Sequence, residues 1–330
     1  MTRIIHRILG AALVVAALAA FGYPGGRGSS DGTVRRYDWE RSRTELLTAT
    51  DVVLCYGGSH HRTPYLWDEE RLAPYVTCRD SAGREQWLFD GFLFLEFVDA
   101  SRPDGATFAF ETGNRNAPAA GRAQWEELLD YWFAAGNGFE ALDRTVAAAA
   151  ARIGEPSAKR RVLMMLPDPV IYRNYADTTS ATDYWGEVDG RRLDFRSTDD
   201  RLAACRWFID QVRERFAAGD FRHTELAGCY GIREIVTRPC DTEYSYHLTR
   251  SDLLVPRIAD YLHALGSSWH WLPYYGSSGY SVWPEGGFAP LRLQPNHPSN
   301  AARRMDSVCP TIAPPGPGLA PVRHAPLRPA

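Results

Sequence analysis

The sequence predicts an α/β fold of the (β/α)8 TIM-barrel type, truncated after about six strands. Three observations support this prediction: short apolar runs recur, helical patterns separate them, and polar and aromatic residues accumulate after the runs rather than before them. Continuously apolar runs are typical of parallel strands that are covered on both faces. Strands that alternate with helices form a doubly wound sheet or a barrel. The chain has neither a G-x-G-x-x-G motif nor a P-loop, so nothing favours a nucleotide-binding sheet.

The apolar runs give the predicted strands in order. They lie at 51–56, 87–97, 161–167, 225–230, 267–275 and 290–296. Helical patterns fill the gaps at 124–135, 139–153, 198–219 and 251–266. In the third helix, apolar residues recur at steps of three and four, with Thr198 as the predicted cap and Gly219 as the predicted end. Pro256 is expected to bend the fourth helix or to delay its start.

The loops that follow the strands carry most of the chemistry. "GGSHHR" follows the first strand, "PDPVIYRNYADTTSATDYWG" the third and "GIREIV" the fourth. A barrel builds its active site from the loops at the carboxyl ends of its strands. We therefore expect the functional site at that edge of the sheet.

The N-terminal segment predicts export. Arg3 and Arg7 precede an apolar run at 8–21 that is short for a membrane span, so residues 1–21 are interpreted as a signal peptide. An uncleaved anchor is the alternative. Residues 22–48 form a linker and N-terminal segment, and 49–309 the incomplete barrel. We expect a secreted, periplasmic or cell-surface protein with no stable membrane span after signal cleavage.

The last segment, 310–330, departs from the barrel pattern. It contains seven prolines in 21 residues, a density that excludes regular helix or strand. The last two strands of an eight-stranded barrel are therefore missing from the pattern. Two explanations stay open: a shift of reading frame near residue 309, or a genuine proline-rich linker.

Composition and cysteine spacing exclude some classes of protein. A net charge of -3 without a basic block argues against nucleic-acid binding. The six cysteines form no C-x-x-C pair and no zinc-type spacing. Cys55 and Cys229 lie inside strands and are predicted to be buried thiols.

Several segments taken together resemble one family. They are "WLFDGFLFLEF", "QWEELLDYWFAAGNGFEALDRTV", the Y-G-x-x-E pattern after the fourth strand, "WHWLPYYGSSGY" and "LQPN". Over about 50–309, this series is similar to the exported bacterial family of the domain of unknown function DUF4855. The resemblance implies a barrel like those of glycoside hydrolases and a role in glycan breakdown. Gly231 stands where that family commonly has tryptophan, and His297 follows "LQPN" where aromatics are usual.

Glycoside hydrolysis uses two carboxyl groups, one of which carries the proton for the leaving oxygen. Glu234, just past the fourth strand, is the predicted proton donor, and Asp168 is a second catalytic candidate. Glu96 is another rim carboxylate, whereas Asp90 is expected to pair with an arginine or to bind a backbone group. The usual partner of Glu234 would come from the seventh strand, which we expect to be missing from this chain.

Aromatic rings suit sugar binding because their faces pack on the apolar C–H faces of a pyranose. The predicted substrate-binding residues lie in the third, fourth and fifth loops and in "LQPN": Tyr172, Tyr175, Trp185, Tyr230, Trp271, Tyr274, Tyr275 and Asn296. A structural role at the barrel top is the alternative for several of them.

Histidines near strand ends offer a rival interpretation, a metal-dependent hydrolase that uses Asp168 with His60, His61, His270 and His297. Such sites usually need two histidines one residue apart on a strand, whereas His60 and His61 are adjacent and in a loop. His270 is predicted to be a hydrogen-bonded interior residue. The sequence thus favours a glycoside hydrolase-like barrel that acts on or binds polysaccharide, without a cofactor or a metal. A non-catalytic carbohydrate-binding protein is the main alternative, and whether the truncated form is active stays open.

Overall fold

The computed structural model describes residue 49 and residues 51–59, 65–100, 102–111, 117–175, 177–235 and 251–272. All of them belong to the unit formed by residues 36–330. In chain order the strands are β1 (Val52–Tyr56), β2 (Thr77–Arg79), β3 (Glu85–Trp87), β4 (Gly91–Leu95), β5 (Val98–Asp99), β6 (Phe108–Ala109), β7 (Arg160–Leu166), β8 (Glu187–Val188), β9 (Arg191–Arg192), β10 (Thr224–Gly231) and β11 (Ser268–Trp271). The helices are α1 (Glu69–Val76), α2 (Arg122–Trp132), α3 (Gly138–Ile153), α4 (Thr198–Ala218) and α5 (Ser251–Ala264).

The central feature is a five-stranded sheet in the order β1-β4-β7-β10-β11, in which every neighbouring pair is parallel. These strands coincide with the first five apolar runs, so the predicted parallel sheet is confirmed. The sixth run, 290–296, lies outside the described residues. The connections between the strands of this sheet contain three two-stranded antiparallel ribbons, β2-β3, β5-β6 and β8-β9.

The register of the strands separates the two faces of the sheet. Cys55 pairs with Phe94, Phe94 with Met164, and Met164 with Cys229, so these side chains share one face. Phe94 makes edge contacts with Trp132 of α2 and Phe139 of α3, at ring-centroid distances of 5.1 and 4.9 Å. We call this the helix face of the sheet.

The next register row points to the opposite face. Tyr56 pairs with Leu95, and Tyr230 pairs with both Met165 and His270. Neighbouring residues of a strand point to opposite sides, so this row lies away from the helices. We call it the tyrosine face.

Two helix predictions need correction in detail. The cap of α4 is Ser197 rather than Thr198, because the Ser197 hydroxyl accepts the backbone N–H of Asp200 at 3.3 Å. Thr198 instead begins the helix, and its end at Gly219 is confirmed. In α5, Pro256 lies inside the helix, five positions after Ser251, and does not delay its start. The pattern of 57–86 had suggested no helix, yet α1 forms there on the Asp68 cap, whose carboxylate accepts the N–H of Arg71 at 2.9 Å.

Burial and hydrogen bonding confirm the predictions made for three single residues, Cys55, Cys229 and Asp90. Cys55 and Cys229 are free and buried, as expected, and burial raises the pKa of the Cys229 thiol to about 12. Asp90 binds a backbone group, since its carboxylate accepts the N–H of Asp51 at 2.7 Å.

No helix in the described part of the chain is both long and apolar enough to cross a membrane.

Candidate functional site

The five parallel strands end at one edge, and the residues at or just after their ends form the candidate site. Tyr56 ends β1, and Tyr230 is the last residue but one of β10, with Glu234 three residues beyond the strand. The rim also carries Glu96, directly after β4, and Asp168, after β7. Because the strands are parallel, these residues lie at the same end of the sheet.

The charge of Glu234 affects two residues of the tyrosine face, Tyr56 and Tyr230. Glu234 is half-buried, and this burial raises the pKa of its carboxyl above the ordinary value. Burial raises the pKa of Tyr56, and the charges of Glu234 and then Glu96 raise it further. Burial also raises the pKa of Tyr230, with additional contributions from Glu234, Tyr56 and Glu111. The predicted residues Glu234 and Tyr230 are thus electrostatically coupled, and Tyr56 and Glu111 contribute to the same group of interactions.

Glu96 is a fixed, buried carboxylate at the end of β4. Its side chain is 3% exposed and accepts the backbone N–H groups of Ser59 at 2.8 Å and Phe97 at 2.9 Å. Gly57 allows this approach, since a Cβ there would lie 2.9 Å from a carboxylate oxygen of Glu96 and 3.1 Å from the Tyr131 ring. Glu96 thus ties the first and second rim loops together.

Asp168 is paired with a cation. Its carboxylate lies 3.3 Å from an Arg233 guanidinium nitrogen, and the two side chains are only 14% and 13% exposed. Its charge also contributes to the raised pKa values of Tyr184 and of Cys205 in α4, both of which are dominated by burial. The charge of Asp168 therefore affects groups in and near α4, whereas the charge of Glu234 affects the tyrosines of the tyrosine face.

Three of the predicted substrate-binding aromatic residues are packed in the interior: Trp185, Trp271 and Tyr230, the last of which is 2% exposed. Trp185 is 2% exposed and contacts the rings of Trp125 and Trp207 at 5.3 and 5.5 Å. Trp271 is fully buried on the α5 side, and its indole N–H donates to the backbone oxygen of Arg233 at 2.7 Å. In this structure Trp271 fixes the loop that carries Glu234.

Tyr172 lies in a different setting, an open polar cavity of about 470 Å³. Its other walls are mostly hydroxyl and charged side chains from 178–183, Asp194 and Arg196. Asp194 and Arg196 form an ion pair at 2.6 Å, and chiefly this contact lowers the pKa of Asp194 to about 2. Tyr175 is half-buried, while Tyr274, Tyr275 and Asn296 lie outside the described residues.

His270 is an interior residue, as predicted. It is fully buried, and its Nε2 lies 2.7 Å from the Ser268 hydroxyl. That hydroxyl donates to the backbone oxygen of Ala227 at 2.9 Å, so Nε2 of His270 is the donor to Ser268. Within the described ranges, no group of three or more His, Cys, Asp and Glu residues is placed to hold a metal ion. His60, His61 and His297 are outside those ranges.

Sequence reasoning missed Tyr56 and Glu111. In the sequence, Tyr56 is distinguished only as the last residue of the first apolar run. Glu111 follows the short run "TFAF", which ends in three successive apolar residues and is a weak strand signal. That signal, with a carboxylate at its end and a place between the second and third strands, could have identified it.

A comparison with known families bears on this site. The family described as "Domain of unknown function (DUF4855)" has a sequence model that matches residues 51–315. The chain belongs to the DUF4855 family. No curated protein and no solved structure matches it. The match spans the whole described DUF4855 sheet and every rim residue discussed above.

Proposed function

We propose that this DUF4855 protein is a glycoside hydrolase-like barrel that acts on polysaccharide, with Glu234 as the proton donor. The observation that carries the proposal is the position of Glu234, half-buried beside Tyr56 and Tyr230 with a pKa raised by burial. A general acid must hold its proton near the working pH, and burial is the usual way to achieve this for a carboxyl group.

The tyrosines support the barrel part of the proposal. Tyr56 and Tyr230 lie on β1 and β10, which are separated in the sheet by β4 and β7. Three strand spacings of about 4.8 Å would hold the two side chains roughly 14 Å apart on a flat sheet. Yet Tyr56 contributes to the raised pKa of Tyr230. A sheet that curves toward the tyrosine face accounts for this proximity, and closure of that curve gives a barrel.

The chemistry follows from the groups at the rim. Glu234 gives its proton to the glycosidic oxygen as the bond to the sugar breaks. The half-buried ring of Tyr56 offers an amphipathic surface on which a sugar ring can pack, whereas Tyr230 is only 2% exposed and supports the rim from the interior. The hydroxyl-rich cavity at Tyr172 is large enough for a further sugar unit. Export to the periplasm or the cell surface would bring the protein to such a substrate.

The test is a screen of wild-type protein against a panel of polysaccharides, read as release of reducing ends. Glu234→Gln is expected to lower the rate at least about 100-fold, because a general acid contributes on that scale. Glu70→Gln is the matched control, since Glu70 is exposed on α1 and far from the rim in sequence. Full activity of Glu234→Gln on the polysaccharide that wild type cleaves would refute the assignment.

A second candidate function is carbohydrate binding without hydrolysis. It is favoured by the Asp168–Arg233 ion pair, which neutralises the other carboxylate predicted to be catalytic. This function predicts retention of a polysaccharide in affinity electrophoresis, with no release of reducing ends after long incubation. Product release from the same polysaccharide would exclude it.

A further inference from the structure

The segment that carries Glu111 is fixed at the rim between two strands. Phe110 follows β6, and its backbone N–H donates to Phe97, just beyond β4, at 2.9 Å. The backbone oxygen of Phe110 accepts the N–H of Asp168, just beyond β7, at 2.8 Å. Ala109 and Ala120 are joined by a further backbone bond of 2.8 Å. Glu111 therefore emerges from a segment that is held on both sides, at the carboxyl ends of β4 and β7.

Phe110 and Glu111 lie on opposite sides of the sheet. Phe110 is 2% exposed and lines a cavity of about 120 Å³ with Leu128 and Tyr131 of α2, on the helix side. Glu111 instead acts on Tyr230, whose side chain points to the tyrosine face. Glu234 acts on that same phenol. The charges of two carboxylates from different rim loops thus both raise the pKa of one residue of the tyrosine face.

The other rim carboxylates are engaged in different ways. Glu96 accepts two backbone N–H groups and is almost fully buried, so movement toward a ligand would break both bonds. Asp168 has Arg233 as its ion-pair partner and acts toward α4. The charge of Glu96 also affects Tyr56, but its carboxylate is held by these two bonds; Glu111 is the carboxylate whose charge affects Tyr230 together with that of Glu234.

We propose that Glu111 is the second catalytic carboxylate of this site and acts as the general base opposite Glu234. This inference rests on the proposed function, since it supplies the partner that glycoside hydrolysis requires. Glu234 donates its proton to the leaving glycosidic oxygen as the C–O bond breaks. Glu111 takes a proton from the water whose oxygen forms the new bond to the anomeric carbon. One water is consumed, two hydroxyl ends are formed, and the protons of the two carboxyls re-equilibrate through solvent.

The kinetic test uses the full chain and the polysaccharide that wild type cleaves. Glu111→Gln is expected to lower kcat at least about 100-fold with little change in KM, because the base acts only in the transition state. Glu111→Gly should regain activity with added sodium azide, while Glu70→Gln should behave as wild type. The product should have inverted configuration at the anomeric carbon. A Glu111→Gln variant with wild-type kcat, or a product of retained configuration, would overturn the assignment of Glu111 as base.

A second measurement tests the placement without any need for activity. The Glu111→Cys/Glu234→Cys double variant, treated with a short bis-alkylating reagent, should become internally cross-linked, and either single variant should not. Absence of the cross-link overturns the placement of Glu111 beside Glu234. If the cross-link forms and wild type cleaves no glycan, the proposed function fails and the catalytic role of Glu111 fails with it, whereas the geometry stands. The two failures are thereby distinguishable.

Discussion

Asp143 on α3 is expected to be a main anchor of β10, the strand that carries Tyr230. One of its carboxylate oxygens accepts the backbone N–H groups of His223 at 2.8 Å and Thr224 at 2.9 Å, and also the Thr224 hydroxyl at 2.9 Å. Thr224 is 1% exposed, so its groups have little access to water after the carboxylate is removed. The perturbation is Asp143→Ala.

The magnitude follows from these three bonds. A hydrogen bond to a charged group contributes about 1.5–3 kcal/mol, but three donors that share one oxygen are not additive. We expect Asp143→Ala to lower the free energy of unfolding by about 2–4 kcal/mol, a large part of the roughly 5–15 kcal/mol of a typical domain. Asp143→Asn keeps an acceptor oxygen without the charge and should lose only about 1 kcal/mol.

The assay is equilibrium unfolding in urea, with the free energy extrapolated to water and an unchanged slope. Asp130→Ala is the control: Asp130 is 68% exposed and pairs with Arg215 at 2.6 Å, so its loss should cost no more than about 1 kcal/mol. The reasoning is refuted if Asp143→Ala costs less than the Asp130 control, or if Asp143→Asn and Asp143→Ala are equally destabilised.

Three further predictions concern the core and the site. Phe94→Ala should destabilise the protein by about 3–5 kcal/mol in the same assay, because it removes a fully buried ring. Leu66→Ala should cost little, since Leu66 is 54% exposed. Equal losses of stability in the two variants would contradict the packing described. Native-state alkylation read by mass spectrometry should modify Cys78, which is partly exposed, before the buried Cys55, Cys205 and Cys229, and the reverse order would be inconsistent with their burial. Burial raises the pKa of Glu234 in the folded state, so wild type should lose stability relative to Glu234→Gln as pH rises from below the ordinary carboxyl pKa through the raised one. Melting temperatures at pH about 4 and about 8 check this, and a stability difference that is the same at both values would count against a buried Glu234.

The strand series was predictable because burial on both faces leaves a direct mark on the sequence. Each of β1, β4, β7, β10 and β11 coincides with a continuous apolar run, as parallel strands between two layers require. The helices were predictable to within a few residues, and the cap of α4 was misplaced by one because Ser197 and Thr198 are both good caps. Element α1 was missed since it has only eight residues with Pro74 inside.

The site was predictable only in part, because its residues come from loops that are far apart in sequence. The position of Glu234 after the fourth strand is a sequence property, and the structure adds its burial and the effect of its charge on Tyr56 and Tyr230. The location of Glu111 depends on backbone bonds from Phe110 to Phe97 and Asp168, which no local pattern encodes. Trp185, Tyr230 and Trp271 are residue types that bind sugars, yet packing places all three in the interior.

The most direct test of the central claim compares two substrates of Glu234→Gln. One is the natural polysaccharide, whose poor leaving group needs a proton, and the other is an aryl glycoside of the same sugar with a dinitrophenolate leaving group, which needs none. The account predicts a loss of at least about 100-fold on the polysaccharide and less than about tenfold on the aryl glycoside. Equal losses on both substrates, or no loss on either, would contradict the role of Glu234 as proton donor.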